Sequence, residues 1–173
     1  LDGGGRFVFR GGLRITSSVA ANQAVQIADA ELVQEGRAHW ETGDLHIAVS
    51  NSLLHNLAGA TFEVGERAGN LVGATSLRLR FVNAGRVHKP AGTNFVVLGD
   101  TDFVNGGEVR VSAGGLAFHG YRGEGALHVD PGVTVALAGT VFAGPSGSLS
   151  GPGNLEWGHR VGNRLVPPNA TVA

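Results

Sequence analysis

One short phrase returns three times along this chain, and its return limits the possible folds more than any other feature. Each copy has one or two apolar residues, then Asn, then one or two residues, then Gly, and the copies hold Asn56 with Gly59, Asn83 with Gly85, and Asn105 with Gly107. The phrase recurs roughly every two dozen residues, a period typical of proteins built from stacked coils of one chain.

Each copy lies beside a run in which apolar and polar residues alternate. The clearest runs are Arg78–Phe81, Glu108–Val111 and Gly132–Leu137. Alternation with period two indicates a strand with one side in the core and the other in water. Gly-Gly, Asn-Gly and Pro-Gly pairs between the runs mark turns. The pattern predicts an all-β solenoid of about seven coils, each adding about 4.8 Å; the alternative is a β-sandwich, in which the phrases would be hairpin turns.

The composition agrees with a narrow core. Gly supplies 29 of the 173 residues, whereas the chain has 8 Phe, 2 Trp, 1 Tyr, and no Met or Cys. A solenoid needs few large side chains because each coil packs only on its neighbours. We expect residues 1–173 to form a single β-solenoid domain that is a segment of a longer chain, since Leu1 is not an initiating Met.

The charges are balanced and scattered. Lys and Arg number 13 and Asp and Glu number 14, and the sequence shows no basic stripe. We therefore expect no nucleic-acid partner. An apolar run of the roughly 18 residues that a membrane span requires is also absent, so we expect no membrane insertion.

The recurring Asn residues are interpreted as structural. Asn side chains stacked at one bend can donate their amides to the carbonyl of the next coil, and the following Gly fits a tight corner. Both Trp residues, Trp40 and Trp157, occupy a Gly-x-x-x-Trp frame, and we expect them to cover an edge or corner of the solenoid. Residues 17–36 have no clean period, which leaves open a strand-and-turn coil or a capped helix.

On the basis of these repeated phrases, residues 30–160 resemble the repetitive regions of large bacterial surface and secreted proteins of the adhesin or autotransporter-like type. The shared order is a Trp-containing coil, then Asn-Gly coils, then the Ser-Gly-x-Gly stretch before Trp157. The resemblance implies a right-handed parallel β-helix in an extracellular or cell-surface protein. The chain departs from the pattern at Asp130–Gly132, where the Asn phrase would next be due.

No group of residues predicts a reactive centre. The seven His have no zinc spacing, and Asp100 with Asp102 lacks the further ligands of a calcium loop. His39 and His46, near Glu41 and Asp44, form the densest cluster. We expect no metal, no cofactor and no catalytic residue. Asn169 matches the N-glycosylation pattern, which has meaning only in a eukaryotic source.

The function expected from these features is a non-catalytic structural or adhesive module, secreted or on a cell surface, that forms a stalk or filament. Its partners would be other segments of the same chain or further copies of it, in a homo-oligomer or fibre, together with cell-surface glycans. The alternative is a polysaccharide-cleaving or carbohydrate-binding β-helix protein, for which Glu63 with Glu66, or Asp100 with Asp102, are the candidate carboxylate pairs.

Overall fold

The fold consists of strands and turns throughout the described part of the chain, with no helix there. The computed structural model describes residues 5–16, 25–27, 30–47, 52–73, 79–99, 101–138, 142–143, 146–157, 159–161 and 164–166. These residues form a β-solenoid, as the sequence predicts.

The strands stack in parallel into three faces, because each coil adds one strand to each face. Face 1 comprises β1 (Arg6–Phe9), β4 (Glu31–Gln34), β6 (Leu53–Asn56), β8 (Leu79–Asn83), β11 (Thr101–Asn105), β14 (Tyr121–Gly123) and β17 (Phe142–Ala143). Face 2 comprises β2 (Leu13–Thr16), β9 (Arg86–Lys89), β12 (Glu108–Val111), β15 (Ala126–Val129) and β18 (Ser148–Ser150). Face 3 comprises β3 (Val25–Ile27), β10 (Phe95–Leu98), β13 (Gly115–Phe118), β16 (Thr134–Leu137) and β19 (Asn154–Trp157).

Two long strands connect faces 2 and 3 without a break. These strands are β5 (Arg37–Ile47) and β7 (Thr61–Gly73), and their mutual register shifts near Thr42 and Gly43. The shifts are bulges that let one strand turn the corner between the faces. A separate antiparallel hairpin follows the last coil, formed by β20 (His159–Val161) and β21 (Arg164–Val166).

The solenoid makes about five turns, slightly fewer than the seven coils expected. Of the seven strands of face 1, five pair on both sides, whereas the two end strands, β1 and β17, pair on one side only. Parallel pairing within all three faces also excludes the antiparallel sandwich considered from the sequence, because a sandwich built on hairpin turns pairs successive strands antiparallel.

Period-two alternation places the apolar side chains inside. Val109 and Val111 of β12 are fully buried, while Glu108 and Arg110, which alternate with them, are partly exposed. Stacked residues align from coil to coil, as in the row Ala38, Phe62, Val87, Val109 and Leu127.

Large rings fill the interior along the axis. Phe62, Phe81 and Phe103 lie with successive ring centroids 5.2 and 5.0 Å apart, both edge to face. Tyr121 stacks on Phe103 at 5.8 Å. Such pairs each contribute about 0.5 to 1.5 kcal/mol beyond the burial of their area.

The corner between faces 2 and 3 is marked by a column of glycines with positive φ. These are Gly43, Gly92, Gly114, Gly132 and Gly151, with φ from 64° to 103°. Only Gly adopts this conformation without strain. The motif Asp130–Gly132 therefore belongs to this corner, and the expectation that it replaces an Asn phrase is wrong.

The ambiguous segment 17–36 is extended where the structure describes it. Residues 25–27 and 31–34 are strands β3 and β4. The helix alternative fails for these residues, and residues 17–24, 28 and 29 lie outside the described part of the chain.

Candidate functional site

The three repeated asparagines form a buried ladder along the inside of face 1. Each is the last residue of its strand, and all three side chains are fully buried. The Asn56 amide Nδ2 donates to Asn83 Oδ1 at 2.8 Å, and Asn83 Nδ2 donates to Asn105 Oδ1 at 2.8 Å. Each amide also donates to a backbone carbonyl, that of Arg86, Glu108 or Ala126, at 3.1 to 3.2 Å. The ladder therefore ties face 1 to face 2.

The ladder has a defined end at Asn105 and an incomplete end at Asn56. At the Asn105 end, Asn105 Nδ2 donates to the Tyr121 hydroxyl at 3.0 Å. The next residue in register is Gly123, where a Cβ would collide with the Tyr121 ring. On the other side Gln34 stands in register with Asn56. The side-chain amide of Gln34 and Oδ1 of Asn56 are buried without a hydrogen-bond partner.

The glycines of the three phrases have two different roles. Gly59 has a φ of 83° and open space around its Cα, so it serves the backbone conformation of a turn. Gly85 and Gly107 serve close approach instead. A Cβ on Gly107 would collide with the Gly85 carbonyl oxygen, and one on Gly85 with the Ala60 carbonyl oxygen. The coils can stack at this corner only because both positions lack a side chain.

Trp40 lies at a corner, but on its inner side. Its side chain is fully buried in the core, and its Nε1 donates to the Gly43 carbonyl at 2.8 Å, across the first bulge of β5. Trp40 therefore fixes the bend from within the solenoid. The backbone of Trp157 stands in register with Leu137 in the last coil; its side chain lies outside what the structure describes.

The outer surface of face 2 holds columns of paired charges. Arg14, His39, Glu63, His88, Arg110 and His128 follow one another in register along the axis. Ion pairs link neighbouring coils: Arg14 with Glu41, Arg37 with Glu63, Arg86 with Glu108 at 3.5 Å, and Arg110 with Asp130 at 3.0 Å.

One depression of about 320 Å³ opens at the edge of this surface. It is lined by residues from β5, β7 and the β9–β10 turn: His39, Glu41, Thr42, Glu63, Gly65, Glu66, Arg67, Pro90 and Ala91. It thus brings together Glu63 and Glu66, the carboxylate pair considered from the sequence, with His39 and Glu41. His39 Nδ1 lies 3.4 Å from Glu63 Oε1.

Two carboxylates of this surface, Glu41 and Asp130, are held in the charged form. The hydrogen bond from Arg14 lowers the pKa of Glu41, and hydrogen bonds from Ser112 and Arg110 lower the pKa of Asp130. Burial and the neighbouring Arg86 lower the pKa of His88. A general acid for glycoside cleavage needs a raised pKa instead, so Glu41 and Asp130 suit ion pairing better than proton donation.

The other sequence candidates do not form a site. Asp102 pairs with Arg122 at 3.2 Å, while Asp100 and Asn169 lie outside the described residues. Among the described residues, no three His, Asp or Glu side chains are grouped so that they could hold a metal ion.

Sequence reasoning missed Lys89, the one lysine of the chain. Lys89 closes β9 at an inward position and is fully buried. Its Nζ donates to the Ala91 carbonyl at 3.0 Å and to Asn94 Oδ1 at 2.9 Å. Burial lowers its pKa. The alternation Arg86, Val87, His88, Lys89 was the available signal, because Lys89 stands two residues after an inward Val.

No helix in the described part of the chain is long and apolar enough to cross a membrane. Comparison with known proteins finds no matching family, no matching curated protein and no matching solved structure.

Proposed function

We propose that this chain is a non-catalytic structural module of an extracellular or cell-surface protein, a piece of stalk or filament that spaces or presents other parts. The observation that carries the proposal is the edge of the last coil in the part of the chain that the structure describes. Leu149 of β18 continues the inward row of Val109 and Leu127, yet it is 55% exposed whereas Leu127 is 3% exposed. Among the described strands β18 pairs only with β15, and an edge with apolar side chains is stable when another coil covers it.

The first coil, like the last, has inward apolar residues that are incompletely buried. Its inward residues Phe7, Phe9 and Leu13 are only partly buried, although they pack against the core. Strands at each end stand in the same three faces, so a further coil of the same shape can extend the ladders at either end. More of the same chain would make a stalk, and further copies would make a filament.

Cleavage of a polysaccharide is supported less well. Glu41 and Glu63 both face arginines, and the depression that holds them with Glu66 is open. Most of the carboxylates that a hydrolase would need are therefore engaged in ion pairs that span neighbouring coils.

The proposal is tested by sedimentation velocity of the purified chain over a wide range of concentrations. We expect end-to-end association that Leu149→Lys abolishes, because the new charge would be buried between two coils. Thr93→Lys, at an exposed position of the β9–β10 turn, is the matched control and should associate like the original chain. A monomer at every concentration that releases reducing ends from a polysaccharide would contradict the structural function.

A further inference from the structure

The outer surface of face 2 collects charges that are scattered in the sequence. Its outward side chains include four arginines, four carboxylates and three histidines: Arg14, Arg37, Arg86, Arg110, Glu41, Glu63, Glu108, Asp130, His39, His88 and His128. Because neighbouring coils are about 4.8 Å apart, the column from Arg14 to His128 is roughly 24 Å long. The surface is a straight strip parallel to the solenoid axis.

In three of the four ion pairs of this strip the arginine lies farther out than its acidic partner, whereas Arg86 and Glu108 are about equally exposed, at 40% and 42%. The Arg37 side chain is 68% exposed and Glu63 is 12% exposed; for Arg14 and Glu41 the values are 72% and 34%. Arg110 and Asp130 repeat the pattern at 39% and 18%. A guanidinium has five N–H donors, of which an ion pair uses one or two. The guanidinium groups of Arg14, Arg37 and Arg110 are partly exposed and Nε of Arg86 is buried, so the exposed guanidinium groups of the strip present hydrogen-bond donors to an anion.

Three histidines lie among these charges. The four arginines of the strip balance its four carboxylates in formal charge. His39 lies beside the carboxylates of Glu41, Glu63 and Glu66. Arg14, Arg37 and Arg67 are the neighbouring cations. His128 contacts Asp130 at 2.9 Å and Ser150 at 3.0 Å, and Arg110 shares Asp130.

His88 occupies the middle of the strip. It lies between Glu63 and Arg110 in register, beside Arg86 and Glu108, and its Nε2 is 3.3 Å from the Ser112 hydroxyl. No carboxylate contacts it among the described residues that pair with it. Burial and the neighbouring Arg86 lower the pKa of His88, so His88 contributes to the middle of the strip as a neutral hydrogen-bonding group.

We propose that the outer surface of face 2 binds a linear acidic polysaccharide, which lies along the solenoid axis and is held by the outward guanidinium groups of Arg14, Arg37, Arg86 and Arg110. Carboxylate and sulfate groups are planar or compact oxyanions that match these donors. Single-stranded nucleic acid fits less well, because the outward columns of face 2 contain no Phe, Tyr or Trp side chain among the described residues to serve as a large stacking platform for bases. The proposal does not depend on end-to-end stacking, since the strip lies on a side of the solenoid and not on its ends.

Binding is measured by fluorescence anisotropy of the full chain with two labelled probes, heparin for sulfate and polygalacturonate for carboxylate, at low ionic strength. The test variant is Arg37→Gln with Arg86→Gln on face 2. The matched control is Arg6→Gln with Arg80→Gln, which removes the same charge from face 1. We expect at least about tenfold weaker binding for the test variant and less than about twofold for the control. Thermal melts of both variants show whether either has lost its fold.

Affinity for one probe alone would identify sulfate or carboxylate as the preferred group.

Three outcomes would overturn the proposal. The first is that neither probe binds at about pH 5.5 and low salt. The second is that both double variants weaken binding equally, which would mean that net charge alone attracts the probe. The third is that a single-stranded DNA oligonucleotide binds more tightly than either polysaccharide and that the face 2 variant no longer binds it, which would assign the strip to nucleic acid.

Discussion

At the residue scale, the asparagine ladder shows why one polar side chain per coil is retained in a narrow core. A buried amide without a partner costs free energy, but each ladder amide has both a side-chain and a backbone acceptor. Leu in the same place would fill the space but would leave the carbonyls of Arg86 and Glu108 without this donor. The ladder is therefore a connection between faces, which an apolar residue cannot replace.

We expect Asn83→Ala to lower the free energy of unfolding by about 1 to 2 kcal/mol, because it removes the middle of the ladder. The substitution leaves Asn105 Oδ1 and the Glu108 carbonyl without their donor and takes one acceptor from Asn56. Urea denaturation followed by circular dichroism measures the change. Asn154→Ala, at an exposed position of β19, is the control and should be neutral; an equal effect of both would contradict a stabilising ladder.

Lys89 presents the opposite case, a polar residue that the core holds at a cost. Its folded-state pKa lies below the ordinary value of 10.5, so the charged form is the disfavoured one in the folded state. The loss of folding stability caused by the charged Lys89 is therefore complete below the folded-state pKa, and it disappears as the pH rises from the folded-state pKa to the unfolded-state pKa. The protein should thus gain stability in the alkaline range below about pH 10.5.

We expect Lys89→Met to raise the free energy of unfolding by about 1 kcal/mol at neutral pH, because Met fills the same space without a charge. The gain should shrink as the pH rises toward the ordinary lysine pKa. Urea denaturation of both chains at neutral and alkaline pH measures it. If Lys89→Met is less stable at neutral pH, then the hydrogen bonds to Ala91 and Asn94 outweigh the cost of the buried charge.

At the scale of strands, the sequence predicted position and orientation well wherever alternation was regular. Glu108–Val111 is a strand with the limits predicted, and Val135 in the run Gly132–Leu137 is fully buried. Alternation works here because a strand has only two sides, so its apolar residues identify the buried one.

The register between coils was predicted less well, because the coils differ in length. Asn56 and Asn83 are 27 residues apart, whereas Asn83 and Asn105 are 22 apart. A variable period hides where the next coil begins, and the position after Asn105 is Gly123 rather than Asp130. The charged strip on face 2 was hidden for the same reason, since its members are neighbours only after the coils are stacked. The continuity of the long strands β5 and β7 also could not be predicted, because the bulges near Thr42 and Gly43 carry no strong sequence signal.

At the scale of the whole molecule, each coil contacts only the coils before and after it. Inner coils therefore have two neighbours and the outer coils have one. In such a linear array stability is approximately a sum of coil terms and nearest-neighbour terms, so the ends should open at lower free energy than the middle. The exposures along one row agree: Val109 is fully buried in the middle, and Leu149 is 55% exposed at the end.

We expect amide hydrogen exchange to be slowest in β8, β9, β11 and β12 and fastest in β1 and β18. Backbone amides in the middle exchange only when several coils open together, whereas those of Ser148–Ser150 require only the loss of one neighbour. Exchange followed by mass spectrometry on proteolytic fragments gives the protection of each coil. Uniform protection in all coils would mean that the solenoid opens as one cooperative unit, contrary to this expectation.

The same hydrogen-exchange measurement also tests end-to-end association. When the concentration is raised until chains associate, a second coil should cover β18, and the protection of Ser148–Ser150 should rise while that of β12 stays constant. In Leu149→Lys the middle coils should still be better protected than the end coils, but the protection of β18 should no longer depend on concentration. The substitution blocks the contact between chains without changing the inner coils. Protection that rises equally in every coil would indicate association along a face instead of at the ends, since only a contact on the side of the solenoid touches all coils at once.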